Sequence, residues 1–274
     1  MNVLSLFSGI GGLDIALEKH GCTTVAYSDV NEYSNKIMAR HFPDAESLGD
    51  ITKLKYEVNE NGTTYIEQSG TGEGYWLPPI DIICGGFPCQ DISAAWNGPG
   101  ITGKRSGLWS NYADAIRGLR PSGILVENVA SITKRGLDTV LGDLARLGYD
   151  AEWSVLRASQ FGATHERKRM FLLAYPNSAG LQEQRRSVTA TAQQLAAERH
   201  GQVLADRPPT DPSVATRAGG RTIAAAWSAE PSMDRVVDGL SHRVDRLRAL
   251  GNAVVPQVAE HVAGILIERL KESA

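Results

Sequence analysis

Two residues that could perform chemistry follow short apolar runs of the sequence. Cys89 comes after "IDIICGG" and "FP", and Glu127 comes directly after "GILV". Such runs are typical of buried parallel strands, and the carboxyl ends of these strands carry the ligand sites of open α/β folds. A thiol is a nucleophile once deprotonated, and a carboxyl group beside a buried strand tends toward a raised pKa that suits proton donation near neutrality. Each residue alone also fits a structural role; together they indicate catalysis.

A glycine-rich loop, "FSGIGGLD", comes earlier, at residues 7–14. Gly9 and Gly11 follow an apolar run and begin a helix, a turn that brings backbone close to a ligand. Asp14 takes the place of the third glycine of a dinucleotide fingerprint, so a nucleoside without pyrophosphate fits better. Asp29 lies twenty residues after Gly9, where an acid can bind ribose hydroxyls. Asp50 could meet an adenine amino group. The structural alternative is an ordinary strand–turn–helix with capping acids.

The elements that must position these residues alternate along the chain. Apolar runs predict strands at 2–7, 23–29, 79–86, 123–129 and 169–175. Amphipathic patterns predict helices at 12–21, 31–42, 108–120, 136–148 and 256–271. Strands that alternate with helices indicate βαβ units, so we predict an α/β fold with a doubly wound, mostly parallel sheet.

Two segments interrupt this alternation. Residues 55–78 are polar and glycine-rich, with an Asn-Gly turn between β-prone runs, which predicts a hairpin. Residues 176–246 hold nine arginines, no lysine and eight acids. Arginine without lysine suits forked contacts to phosphates and base edges, but a solvated surface insertion explains the composition equally well.

Composition restricts the class of protein. The 274 residues are 42% hydrophobic and 22% charged, which is typical of a soluble globular protein, and a net charge of -3 argues against a strongly basic DNA-coating protein. The three cysteines form no CxxC pair, so a reduced, cytosolic compartment is expected; Cys22 and Cys84 are predicted to be buried. We predict no metal site, no signal peptide and no membrane helix, which would need about 18 apolar residues.

Six short blocks occur in an order that resembles the DNA (cytosine-5)-methyltransferase family. The blocks are "FSGIGG", "GDI", "GGFPCQDIS", "ENV", "HERKR" and "GNAVVPQVA". The resemblance covers most of 1–175 and 247–265, and its specificity lies in the joint order. It implies a Rossmann-like, S-adenosylmethionine-dependent fold. A catalytic and cofactor-binding domain would comprise 1–175 and 247–274, and a small, irregular target-recognition region would comprise 176–246.

The resemblance also implies a reaction and its residues. The family transfers a methyl group from S-adenosylmethionine to C5 of a flipped-out cytosine in duplex DNA, through a covalent adduct at C6. The implied catalytic residues are Cys89 as nucleophile, Glu127 at cytosine N3, and Arg167 and Arg169 as contacts to the base. The implied cofactor-binding residues are Phe7, Gly9, Gly11, Asp29, Asp50, Ile51, Pro88, Leu108, Asn252 and Val254. In the family, the C-terminal helix packs beside the N-terminal strand.

The sequence departs from the family pattern at three places. His165 replaces the usual glutamine, Val30 replaces an aromatic residue that stacks on adenine, and 176–246 is short for a target-recognition region. A further hypothesis is that the 55–78 insertion contributes DNA contacts. We expect a monomeric, cytoplasmic enzyme of bacterial or phage origin that serves restriction–modification. The alternatives are an RNA cytosine-5 methyltransferase, a catalytically silent DNA-binding relative and, less well supported because of Asp14, a nicotinamide-dependent oxidoreductase.

Overall fold

The computed structural model describes residues 1–88, 107–134, 136–177 and 253–272. These residues form ten strands: β1 Asn2–Leu6, β2 Thr23–Ser28, β3 Glu46–Ser47, β4 Leu54–Val58, β5 Thr64–Gln68, β6 Glu73–Leu77, β7 Ile82–Gly85, β8 Gly123–Val129, β9 Tyr149–Arg157 and β10 Lys168–Pro176. Five α-helices accompany them: α1 Gly12–Glu18, α2 Glu32–His41, α3 Gly107–Leu119, α4 Leu137–Arg146 and α5 Pro256–Glu272.

A seven-stranded sheet in the order β3-β2-β1-β7-β8-β10-β9 forms the centre of the fold. The pairs from β3 to β8 are parallel, whereas β10 is antiparallel to both β8 and β9. All four residues of β7 are buried, as are the first six of β8. Burial on both faces explains why these strands read as continuous apolar runs. The predicted doubly wound, mostly parallel sheet is confirmed.

Helices cover both faces of this sheet. On one face α1 and α5 pack together, and their apolar side chains share a cluster with residues of β1, β7, β8 and β10, among them Val3 and Leu125. On the other face α3 and α4 contribute to a second cluster, which includes Tyr112 and Leu144. The C-terminal helix begins at Pro256, as predicted, but its main packing partner is α1, and Val3 of β1 lies in the same cluster.

The insertion after β3 differs from the predicted hairpin. It is a three-stranded antiparallel sheet in the order β4-β5-β6, and its first turn contains the expected Asn61-Gly62 pair. The sequence prediction missed β6 because glycines at 70, 72 and 74 obscure the strand pattern. Its apolar face joins the α3 side of the core through Leu54, Ile66 and Leu77.

Two further differences concern the end of the large sheet. The predicted strand at 169–175 exists as β10, but it runs against β8. The strand β9 beside it was not predicted, because charged and polar residues alternate along "YDAEWSVLR". The proposed target-recognition region lies outside the described residues apart from its first two positions. No helix in the described ranges is long and apolar enough to cross a membrane.

Candidate active site

A cavity of about 510 Å³ opens at the carboxyl ends of β1, β2, β7 and β8. This volume lies in the range of small-molecule sites, about 300–1,000 Å³. The cavity brings together nine residues that the sequence predicted for the site: Phe7, Gly9, Asp29, Asp50, Ile51, Pro88, Leu108, Glu127 and Val254. They come from distant parts of the chain, so their convergence depends on the fold and supports the predicted location.

The other predicted site residues do not line the cavity in the part of the chain that the structure describes. Gly11 is not part of the cavity wall; it lies against Met38 and Phe42, where a Cβ would approach their side chains to 2.8 and 2.9 Å. The lack of a side chain at position 11 therefore allows this close approach of the α2 region, and cofactor binding by Gly11 stays a prediction. Cys89 and Asn252 lie outside the described residues.

Asp29 is held at the rim of the glycine loop by main-chain donors. Its Oδ2 accepts a hydrogen bond of 2.8 Å from the Gly9 amide, and its Oδ1 accepts one of 2.8 Å from the Asn31 amide. A carboxylate has about four acceptor positions, so Asp29 keeps capacity for a ligand. In Asp50, Oδ1 accepts hydrogen bonds from both the amide and the hydroxyl of Thr52. Both acids thus have orientations set by their own loops.

Asp14 is a buried acid in the cavity wall that the sequence analysis did not assign to the site. It is 1% exposed, and it accepts hydrogen bonds from Ser5 Oγ at 2.9 Å and Thr24 Oγ1 at 3.1 Å. Burial raises its pKa to about 6, although these hydroxyls lower it. The one feature of the sequence that indicates this buried position is a charged residue on the apolar side of α1.

Glu127 lies within β8, and its carboxylate reaches the same cavity. Arg169, at the start of β10, places its Nε 2.9 Å from Glu127 Oε1. Burial raises the pKa of Glu127 to about 7, against the opposing effect of Arg169 and Arg167. The predicted raised pKa is therefore found, and its cause is loss of solvent around the carboxyl group.

Arg167 belongs to the same charged group but reaches a different part of the wall. Its Nη2 donates a hydrogen bond of 2.5 Å to the Ala253 carbonyl. Burial and the neighbouring Arg169 lower the pKa of Arg167, while Glu127 raises it. The two arginines that the sequence predicted are thus within electrostatic range of Glu127.

The loop that leads to Cys89 is fixed from β8. Asn128, next to Glu127, donates a hydrogen bond of 2.9 Å from its side-chain amide to the Phe87 carbonyl. The Phe87 ring packs against Trp109 with a centroid distance of 5.2 Å, and Trp109 stacks on Tyr112 at 5.5 Å. The sequence analysis noted the "ENV" block but gave Asn128 no role of its own.

Close approach explains one glycine of this loop. A Cβ on Gly86 would lie 2.9 Å from Glu127 Oε2 and 3.1 Å from the Glu127 carbonyl oxygen. Any side chain at position 86 would therefore displace the carboxylate. Gly86 therefore lets the loop pass directly over Glu127.

Comparison with known proteins identifies the family. A family model described as "C-5 cytosine-specific DNA methylase" matches residues 1–217. The chain belongs to this family. The predicted resemblance is confirmed, and residues from five of the six blocks quoted for it line the cavity.

Curated relatives in the family are type II methyltransferases. The chain is 30% identical over 175 residues to M.NgoFVII of Neisseria gonorrhoeae, covering 62% of this chain and 42% of that protein. It is 32% identical over 179 residues to M.NgoBI of the same species, covering 64% and 50%. This methylase-family chain spans about half the length of the curated relatives it matches.

A solved structure supports the fold alone. The S. pombe Dnmt2 methyltransferase aligns with 71% of this chain and 54% of its own, with 20% sequence identity and a TM-score of 0.50. In the described parts of this C-5 methylase-family chain, no group of three or more His, Cys, Asp or Glu side chains is placed to hold a metal ion.

Proposed function

We propose that this protein transfers a methyl group from S-adenosylmethionine to C5 of cytosine in duplex DNA. The observation that carries the proposal is the position of Glu127, a carboxyl group with a pKa of about 7 that faces the glycine-loop cavity and pairs with Arg169. Membership of the C-5 cytosine-specific family supports the same reaction.

The residues of the cavity fit the nucleoside part of the cofactor. Asp29, held by the Gly9 amide, can accept from ribose hydroxyls; Asp50 and Ile51 would bind the adenine. Val30 is 76% exposed and lines the same wall, so it leaves one face of that adenine open. Phe7, Pro88, Leu108 and Val254 supply the apolar walls. When bound, S-adenosylmethionine supplies a methyl group on a positively charged sulfur.

The base would enter from the side of Glu127. In this proposal the Cys89 thiolate adds to C6 of a flipped-out cytosine, and the electron pair of the C5–C6 double bond makes C5 nucleophilic. Glu127, protonated near neutral pH, donates to N3 and stabilises the charge that develops on the ring. Arg169 holds the carboxyl group in place. Once C5 carries the methyl group, a base removes the C5 proton, N3 returns its proton to Glu127, and the thiolate leaves C6, which restores the C5–C6 double bond.

The remaining proposals concern organisation and context. Residues 1–175 and 247–274 would form the catalytic domain, and 176–246 would read the target sequence with arginines that suit base edges and phosphates. The protein would act as a monomer without a metal ion, in the cytoplasm of a bacterium or of a phage host, in restriction–modification. Curated relatives named as type II methyltransferases support this context.

A trapping experiment tests the reaction. The 274-residue chain is incubated with S-adenosylmethionine and a random-sequence duplex library in which 5-fluorocytosine replaces cytosine. Because fluorine does not leave C5 as a proton does, we expect a stable covalent complex that is absent in Cys89→Ser. An enzyme that labels tRNA but not duplex DNA in parallel tritium-methyl assays would contradict the assignment of DNA as substrate. Bisulfite-type sequencing of the same library, with ordinary cytosine, would show the preferred site.

A further inference from the structure

Two arginines at the start of β10 hold two different walls of the cavity. Arg169 places Nε 2.9 Å from Glu127 Oε1, on the side proposed for the base. Arg167 donates from Nη2 to the Ala253 carbonyl at 2.5 Å, on the side proposed for the cofactor. One short segment of backbone therefore connects both sides.

The carbonyl that Arg167 binds belongs to a segment in contact with the glycine loop. Ala253 and Val254 both line the cavity, and Val254 packs on Gly12, the first residue of α1. The packing is so close that a Cβ on Gly12 would lie 2.5 Å from Val254 Cγ2. The position of this wall is thus set by Gly12 on one side and by the Arg167 guanidinium on the other.

The bond from Arg167 is of the strong type. The donor carries a full charge, is half-buried, and forms a short contact with a neutral acceptor. Arginine retains its charge under all ordinary conditions, so the contact does not depend on pH. Arg167 also lies within electrostatic range of Glu127, whose pKa it lowers.

We propose that Arg167 is a positioning residue for the cofactor side of the cavity: by holding the Ala253 carbonyl, it sets the wall against which the cofactor packs. The inference rests on the proposed function for the identity of the cofactor. The role is distinct from contact with the base, because it requires no DNA.

Calorimetric titration of S-adenosylmethionine and S-adenosylhomocysteine in the absence of DNA tests this role. Arg167→Ala is expected to weaken binding by about tenfold or more, as loss of a hydrogen bond from a charged donor predicts. Arg167→Lys should recover part of the affinity. Arg169→Ala, which removes a guanidinium from Glu127 and not from Ala253, should change affinity by less than about twofold. Arg157→Ala, on the exposed surface of β9, is the matched control.

Hydrogen exchange gives a readout that needs no ligand. The amides of Val258 and Ala259 donate to the Val255 carbonyl in the first turn of α5. Without the Arg167 contact this turn should open more often, so both amides should exchange faster in Arg167→Ala than in Arg157→Ala. If Arg167→Ala does not fold, Arg167→Lys and Arg167→Gln provide the same comparison.

The outcomes separate the two proposals. Cofactor binding by Arg167→Ala at wild-type affinity, or an equal loss in Arg169→Ala, would overturn the role of Arg167 in positioning the cofactor wall. Unchanged exchange at Val258 and Ala259 in the Arg167 variants would do so as well. A wild-type chain that does not bind S-adenosylmethionine would instead refute the proposed function, while the exchange experiment would still decide whether Arg167 holds the wall.

Discussion

The side-chain amide of Asn128 donates a hydrogen bond of 2.9 Å to the main-chain carbonyl of Phe87. Asn128 is 4% exposed, and its own Oδ1 accepts from the Val129 amide. The strand that carries Glu127 therefore also holds the backbone two positions before Cys89. The acid and the loop that leads to the thiol are thus positioned by a single element, β8.

Asn128→Ala should separate positioning from cofactor binding. The variant leaves the Phe87 carbonyl without its donor, which costs about 1–3 kcal/mol of unfolding free energy. We expect the single-turnover rate of methyl transfer to fall by about tenfold or more, with S-adenosylmethionine affinity unchanged. Urea denaturation and calorimetry give the two controls. A variant with wild-type turnover would show that the loop is fixed by its aromatic contacts instead.

Glu127 should make the ligand-free protein less stable as pH rises. Its pKa is about 7 in the folded state, against 4.5 as the ordinary value, so the folded state binds the proton more tightly. Its contribution to stability is therefore largest below about pH 4.5 and is lost as pH rises through about 7. The size of this effect is on the order of 3 kcal/mol.

Glu127→Gln tests this dependence, because glutamine resembles the protonated acid. The melting temperature of the variant, relative to wild type, should rise between pH 5 and pH 8, while methyl transfer falls by about 10²-fold or more. An identical pH dependence of melting in both proteins would contradict the raised pKa of Glu127.

Asp14 should also make the protein less stable as pH rises, but over a lower range of pH than Glu127. Its pKa is raised from 3.8 to about 6, so its contribution to folding is lost as pH rises through about 6. Asp14→Asn should reduce the pH dependence of unfolding between pH 4 and pH 6.5. Asp14→Leu should destabilise the protein by about 1–3 kcal/mol, because the hydroxyls of Ser5 and Thr24 lose their acceptor. Chemical denaturation at several pH values distinguishes the two variants.

Arg169→Ala should move the pH profile of the reaction. Arg169 is the largest influence that lowers the pKa of Glu127, so its removal raises that pKa above about 7. If protonated Glu127 is required, the decline of the single-turnover rate at alkaline pH should shift to higher pH in the variant. Arg157→Ala should leave the profile in place. A shift of the profile to lower pH in Arg169→Ala would contradict the conclusion that Arg169 lowers the pKa of Glu127.

The sequence predicted the strand ends and the mostly parallel sheet, but it did not predict that β10 is antiparallel to β8. Apolar runs located β7 and β8, and so placed Glu127 at the correct edge. The contact from Arg169 depends on β10 running against β8, and strand direction leaves no trace in local periodicity. Burial of Asp14 is likewise a tertiary effect: Ser5 and Thr24 come from neighbouring strands, and their hydroxyls make an interior carboxyl group tolerable.

The insertion and β9 show a second limit. Glycines within 70–74 hid the third strand of the small sheet, and charged residues in 149–157 hid a strand at the sheet edge. In both cases pairing with a neighbour outweighs weak local propensity. The position of Cys89 relative to the cavity stays a prediction, which the trapping experiment tests.

The reversed direction of β10 decides which of its ends can serve the reaction. Parallel strands bring their last residues to the cavity, whereas an antiparallel neighbour brings its first. Had β10 run parallel to β8 over the same paired span, Arg169 would lie opposite Ile124, about 10 Å along the strand from Glu127 at about 3.3 Å per residue. The pairing of β10 with β8 thus places the Arg169 guanidinium beside the Glu127 carboxylate. Changes in the length of the turn before β10 should therefore leave the ion pair intact.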